Sequence, residues 1–187
     1  MKNKIIIAVL VITVLFGLWT VSTYNSLAQA NLAVDTQWAQ VEAQYQRRFD
    51  LIPNLVASVQ GIFTQEKDIF TAIAEARKGY SGARTIDEKA EAASRVESAL
   101  GRLLVITEAY PQLTSNQTVQ NLMTQLEGTE NRISAERGRF NDSVSFFNGK
   151  IITFPGNIVA NIFGFKKRAF FEADKGASVA PAVKFNQ

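Results

Sequence analysis

The sequence predicts an all-α protein: an N-terminal transmembrane helix, then an antiparallel up-and-down bundle of three long helices and one short helix. Three observations predict it. Ile5 to Ser22 is an apolar run of 18 residues without a charge. Val34, Trp38, Val41, Tyr45, Arg48, Ile52, Leu55, Val59, Ile62, Glu66, Ile69 and Ile73 then recur at alternating steps of four and three. Two later stretches carry stripes with steps of four and three, after a break at Lys78–Ala83 and after Pro111, the last with two successive steps of four at Leu122, Leu126 and Glu130. A period of 3.5 residues marks the seam of packed helices.

The membrane segment comes first. At 1.5 Å per residue its 18 residues span about 27 Å, close to a hydrocarbon core of about 30 Å. Ile5, Leu10, Leu15 and Trp19 represent the anchor, with Trp19 and Tyr24 at the level of an interfacial aromatic belt. Lys2 and Lys4 precede the run, and no basic residue follows until Arg47. The positive-inside rule then puts residues 1–4 in the cytoplasm and the bulk of the chain outside, a single-pass topology. A cleaved signal peptide is the competing reading, since Ala28-Gln29-Ala30 has the A-x-A form. The run is longer than a signal core, and Ala30 lies eight residues beyond it, so a retained anchor over 5–24 is the expectation.

The first soluble helix is expected over about Ser26–Arg77. Its 4-3 stripe keeps phase across Pro53, which predicts a kink rather than a reversal. Thr85 and Glu88 form a capping box for a second helix. Its stripe is Ala92, Val96, Ala99, Leu103, Ile106 and Tyr110, and Pro111 ends it. Thr114 with Gln117 offers a capping box for a third helix. That stripe is Val119, Leu122, Leu126, Glu130, Ile133, Arg137, Phe140, Val144, Phe147 and Ile151. Pro155-Gly156 closes it. Asn157 is the expected cap of a short apolar helix that Gly164 stops. Short connections imply antiparallel neighbours. The bundle domain is thus expected over 25–172, and the small, polar stretch 173–187 as a mobile tail.

Four charges interrupt the seams: Arg48, Glu66, Glu130 and Arg137. A buried charge is costly unless paired, and arginine's planar fork suits bidentate pairing with a carboxylate. The bland reading is an ion-pair network that fixes helix register. The sharper one is an interaction notch. Arg47, Asp50, Arg77, Glu108, Glu127 and Arg132 lie off the strict seams and are expected on solvated faces. Glu127 and Glu130 share a helix face, but neighbouring arginines would keep them ionised and unavailable as acids. Near the C-terminus, Phe154, Phe163, Phe165, Phe170 and Phe171 surround Lys166, Lys167 and Arg168. These aromatics are expected to cover the open end of the bundle, with the basic triplet in water. The alternative is a segment lying on an anionic membrane surface.

Composition narrows the chemistry. With no histidine and no cysteine, thiol nucleophiles, Cys/His zinc sites and Ser-His-Asp triads are excluded. The net charge of +3 is dispersed and gives no nucleic-acid footprint. No glycine-rich phosphate loop or calcium-loop pattern occurs. The reading is therefore not an enzyme, with no cofactor.

Several strings converge on a family. Tyr24-Asn25-Ser26-Leu27 follows the span, and Arg47-Arg48-Phe49-Asp50-Leu51-Ile52-Pro53-Asn54-Leu55-Val56 surrounds Pro53. Tyr110-Pro111-Gln112-Leu113, Leu126-Glu127-Gly128-Thr129-Glu130-Asn131-Arg132-Ile133, Phe154-Pro155-Gly156-Asn157, Phe163-Gly164-Phe165 and Phe170-Phe171-Glu172 come after. Together they resemble the LemA family over about Tyr24–Glu172. The resemblance implies a bacterial protein with one N-terminal span and a helical bundle, and no established enzymatic activity. The expected function is a membrane-anchored interaction or scaffold protein of the bacterial inner membrane. Its expected partners are the lipid bilayer, further copies of itself and a membrane protein such as a protease. The alternatives are an accessory subunit of a membrane protease or transporter, and a ligand-binding or hydrolytic domain.

Overall fold

A computed structural model describes residues 2–59, 67–108 and 110–171. Six helices are ordered α1 (Lys2–Val59), α2 (Lys67–Gly82), α3 (Ile86–Glu108), α4 (Pro111–Thr114), α5 (Gln117–Ile152) and α6 (Gly156–Phe163). The all-α class with a long apolar N-terminal helix is as the sequence predicts. The described residues form two compact units, residues 2–40 with 138–170, and residues 41–137 with 171.

In the second unit the predicted seams are the core. Val41, Tyr45, Ile52, Leu55 and Val59 of α1 are buried. So are Ala92, Val96, Ala99 and Leu103 of α3, and Val119, Leu122, Leu126 and Ile133 of α5. Residues at alternating 4-3 steps share one helix face, which is why a single stripe from each helix meets the others.

One long helix over Ser26–Arg77 is not what forms. α1 continues through Pro53 and is described to Val59, and α2 starts at Lys67. Tyr80, near the end of α2, packs its ring 4.6 Å from Phe49 and 5.3 Å from Tyr45. Phe70 and Ile73, near its start, lie with Ile52, Pro53 and Val56. α2 therefore runs back along α1. The stripe keeps its phase from Val59 to Ile69 and Ile73, so the reversal is invisible to the period. Ion pairs then order the rest. Lys89 meets Glu42 and Arg48 meets Glu97, so α3 runs with α1. Glu130 meets Arg48 and Arg137 meets Tyr45, so α5 runs against it. The up-and-down order holds with α1, α2, α3 and α5 as its members; α3 is parallel to α1, not antiparallel.

The caps follow sequence chemistry with two corrections. Thr85 and Glu88 make the reciprocal capping box, each backbone N–H donating to the other's side chain at 3.2 Å. The Arg84 N–H also donates to Glu88 at 2.7 Å, and these backbone donors hold its carboxyl below the usual carboxylate value. α5 is capped at Asn116, whose Oδ1 accepts from Thr118 and Val119; the Thr114 side chain of the expected Thr114–Gln117 box lies outside the described residues. Asn157 does not cap α6: Pro155 is the N-cap residue, and the Asn157 Oδ1 is buried without a hydrogen-bond donor among the described residues. Gly164 ends α6 at φ 75°, the left-handed conformation that glycine adopts without a Cβ penalty.

The first unit pairs the N-terminal part of α1 with the end of α5 and with α6. Trp38 packs edge-on against Phe140 at 5.4 Å, and Lys150 donates to Ser26 at 2.6 Å. Leu27 joins Val159 and Ala160 of α6 in a small core ringed by Trp19, Ile151 and Phe165. N-terminal to Trp19 the apolar side chains of α1 have no protein cover: Ile5, Leu10 and Leu15 are all exposed. This is the composition, length and exposure of a membrane span.

The aromatic C-terminal segment divides. Phe165 packs in the first unit and Phe171 is buried in the second, whereas Phe154, Phe163 and Phe170 are exposed. The basic triplet divides too. Lys166 and Lys167 are exposed, but Arg168 pairs with Asp35 and donates to Asn31 at 3.3 Å. Its backbone exchanges two 2.9 Å hydrogen bonds with the Asn148 side chain.

Two glycines give opposite tests of this geometry. A Cβ at Gly156 would strike the Lys150 carbonyl, whereas one at Gly128, inside α5, meets nothing. Gly156→Ala is expected to lower the unfolding free energy by about 1–3 kcal/mol. Gly128→Ala is expected to raise it by roughly 0.5–1 kcal/mol. Guanidinium unfolding of the full chain in mild detergent measures both.

Candidate functional site

Three of the four seam charges converge in the second unit. Arg48 is 3% exposed and holds Glu130 through one guanidinium nitrogen. Its other terminal nitrogen lies 3.5 Å from Glu97. Arg137 holds the same Glu97, and its Nε donates to the Tyr45 hydroxyl at 2.9 Å. Two arginines and two glutamates thus form a neutral chain from α5 through α1 and α3 back to α5. Glu66 lies outside the described residues.

Glu97 is the member that strict seam reading misses. It lies one residue beyond Val96 of the α3 stripe. A second 4-3 ridge runs Ala93, Glu97, Leu100, Leu104, and Ala93 and Leu100 on it are buried. One acid in an otherwise apolar ridge was the available signal.

Electrostatics follows burial. Desolvation pushes the Glu97 carboxyl above its ordinary value, opposed by Arg137 and reinforced by Glu130. Burial pulls the Arg137 guanidinium down, but Tyr45 and Glu97 outweigh it and its proton is held more tightly than usual. The Tyr45 phenol is pushed up to about 12, mainly by burial. Arg137 also stacks over the Phe171 ring at 4.5 Å and the Tyr45 ring at 5.5 Å, so its charge is satisfied on flat faces as well as at its edge.

The network forms one wall of a cleft of about 360 Å³. Arg48 and Leu55 contribute from α1, Glu97, Leu100 and Leu104 from α3, and Met123, Leu126, Glu127 and Glu130 from α5. Most of the lining is apolar, and Glu97 and Glu130 meet Arg48 along one wall. Glu127 has no ion pair among the described residues, and Leu104 is exposed at the mouth. The Arg48 Nε is buried without an acceptor among the described residues. The chain of Arg48, Arg137, Glu97 and Glu130 is neutral, so Glu127 leaves that side of the cleft with one net negative charge. The arrangement can seat an apolar group that carries a cation. Among the described residues no group of acids is placed to hold a metal ion.

The profile of the LemA family matches residues 37–185. Magnetosome protein MamQ 1 and magnetosome protein MamQ 2 of Paramagnetospirillum magneticum are each 28% identical, over 94% of this chain and 75% of theirs. Magnetosome protein MamQ of Magnetospirillum gryphiswaldense is 38% identical over 46% of this chain and 31% of its own.

The tyrosines give a pH test. Burial raises Tyr80 as well as Tyr45, and the Tyr80 hydroxyl has no partner among the described residues. An unfolded tyrosine ionises near pH 10. Above that pH the unfolded chain loses protons that the native chain keeps, so stability falls as pH rises from about 10 toward 12. Tyr80→Phe removes one such group and one unmet hydroxyl. At about pH 8 it is expected to match the parent or gain up to about 1 kcal/mol. Its loss of stability at about pH 11 is expected to be shallower. Denaturant midpoints at the two pH values check both; a loss above about 1 kcal/mol at neutral pH would show that the hydroxyl is satisfied.

Proposed function

This chain belongs to the LemA family, and from that premise we propose that it is a membrane-anchored scaffold of the bacterial envelope that binds a protein partner through the acidic cleft of its second unit. The single observation that carries the reading is the cleft itself. An apolar trough with a net acidic side is built to receive a partner segment in which a lysine or arginine follows an apolar side chain. Arg48, Glu97 and Glu130 hold one another in place, so the polar wall is rigid before the partner arrives and little ordering entropy is lost on binding.

The anchor supports the same reading. Removal of residues up to Ala30 would take away Leu27, which is buried against α6, and Ala30, which is buried in α1. The span is thus read as retained, with Lys2 and Lys4 on the cytoplasmic side of the inner membrane. A scaffold needs no reaction at the cleft. It needs a fixed distance from the bilayer and a specific surface. The partner is read as a second copy or another membrane protein.

A photo-reactive amino acid at Leu104, on the rim of the cleft, tests this. Irradiation of native membranes is expected to give one discrete cross-linked band, and mass spectrometry reads whether it contains a second copy or another protein. The same probe at Ser145, exposed on α5 in the other unit, is expected to give none. Equal, diffuse cross-linking from both positions would contradict the proposal.

A further inference from the structure

The first unit leaves apolar side chains uncovered beside the end of the membrane segment. Phe154 is 78% exposed and Ile162 69%, and Ile158 and Phe163 are exposed with them. The sequence of α6, Gly-Asn-Ile-Val-Ala-Asn-Ile-Phe, carries no charge. Its opposite face is fixed: Val159 and Ala160 are buried against Leu27, with Trp19 beside them. The Tyr24 ring lies 4.8 Å from Phe163 and 5.7 Å from Phe165.

These contacts set the depth of α6. Trp19 is inside the uncharged run and Tyr24 is two residues beyond it. α6 is therefore held level with residues 19–27 of α1, a band of about 12 Å along the helix axis. The polar layer of a bilayer is roughly 5–7 Å thick on each side of its hydrocarbon core. With Ile5–Ser22 across the core, this band straddles the boundary between acyl chains and headgroups. Exposed Phe and Ile at that level face lipid rather than bulk water, and Lys166 and Lys167, exposed just beyond, reach the phosphate level.

We propose that α6 together with Phe154 is a second membrane contact: a short interfacial helix that sets Phe154, Ile158, Ile162 and Phe163 into the bilayer beside the transmembrane anchor. The occupant of this face is the lipid bilayer, because the face continues the apolar surface of the span itself. The helix braces the base of the protein, so that the anchor is held at two points instead of one. The inference rests on the span reading of residues 5–22 and is independent of the cleft.

The chain has no cysteine, so single spin labels can be placed in the full protein in phosphatidylglycerol–phosphatidylethanolamine vesicles. Labels go at Phe154→Cys and Ile162→Cys, with Leu10→Cys as the lipid reference and Leu32→Cys, exposed on α1, as the water reference. The ratio of oxygen to nickel-complex accessibility at 154 and 162 is expected to approach that at 10 and to exceed that at 32 several-fold. A lipid reading at 10 with water-like readings at 154 and 162 would overturn this contact alone. A water-like reading at 10 would overturn the span and the contact together. Low accessibility to both reagents at 154 and 162 would place protein over the face, and would overturn the proposal as well. Unchanged circular dichroism of each labelled protein confirms the fold being compared.

Discussion

Two arginines share one carboxylate inside the second unit, and the helix order there depends on it. Arg48 sits almost wholly out of water on the seam of α1, where an unpaired charge would be strongly destabilising. Its partners come from two other helices, Glu97 of α3 and Glu130 of α5. Glu97 in turn holds Arg137 of α5. An apolar residue at each place would pack at least as stably, but it would not specify alignment. A 4-3 stripe repeats every seven residues, so a helix can slide by one heptad and still present an apolar face. A cation that must meet two carboxylates removes that degeneracy. On this account the charges were placed for register, and the polar wall of the cleft follows from the same placement.

α1 changes character along its length without a break in the helix. From Ile5 to Leu18 apolar side chains point in every direction and none has protein cover. From Leu27 onward one stripe is buried, Leu27, Ala30, Val34, Trp38, Val41, Tyr45, Arg48, Ile52, Leu55 and Val59, with Phe49 beside it. The solvent supplied to the helix is lipid in the first part and protein on one face in the second, and the sequence follows suit. α6 stands at the change-over. It buries one face on α1 and leaves the other to whatever surrounds the end of the span.

The seams were legible because periodicity is a direct record of which face is buried. Nearly every stripe residue named from the sequence in α3 and α5 proved buried or half-buried, and Arg48, Glu130 and Arg137 were found through their departure from the stripe. Chain reversal was not legible. The stripe keeps its phase from Val59 to Ile69 and Ile73, so α1 and α2 read as one helix and the direction of α3 was inverted with them. Glu97 escaped because α3 buries two adjacent ridges and only one was followed. The caps were settled by competition between neighbours: Asn116 took the place expected of Thr114, and Pro155 took that expected of Asn157. The aromatic tail could not be assigned from composition, since Phe163 and Phe165 differ in exposure although two residues apart.

The central claim is that Arg48 and Glu97 act as a coupled pair in fixing α1 against α3. A double-mutant cycle measures this directly, with Arg48→Met, Glu97→Gln and both together, each unfolded by guanidinium in mild detergent. The account predicts a coupling energy above about 1 kcal/mol, the double mutant losing less than the sum of the two single losses. Additivity within about 0.5 kcal/mol would mean that the two residues contribute independently, and would contradict it.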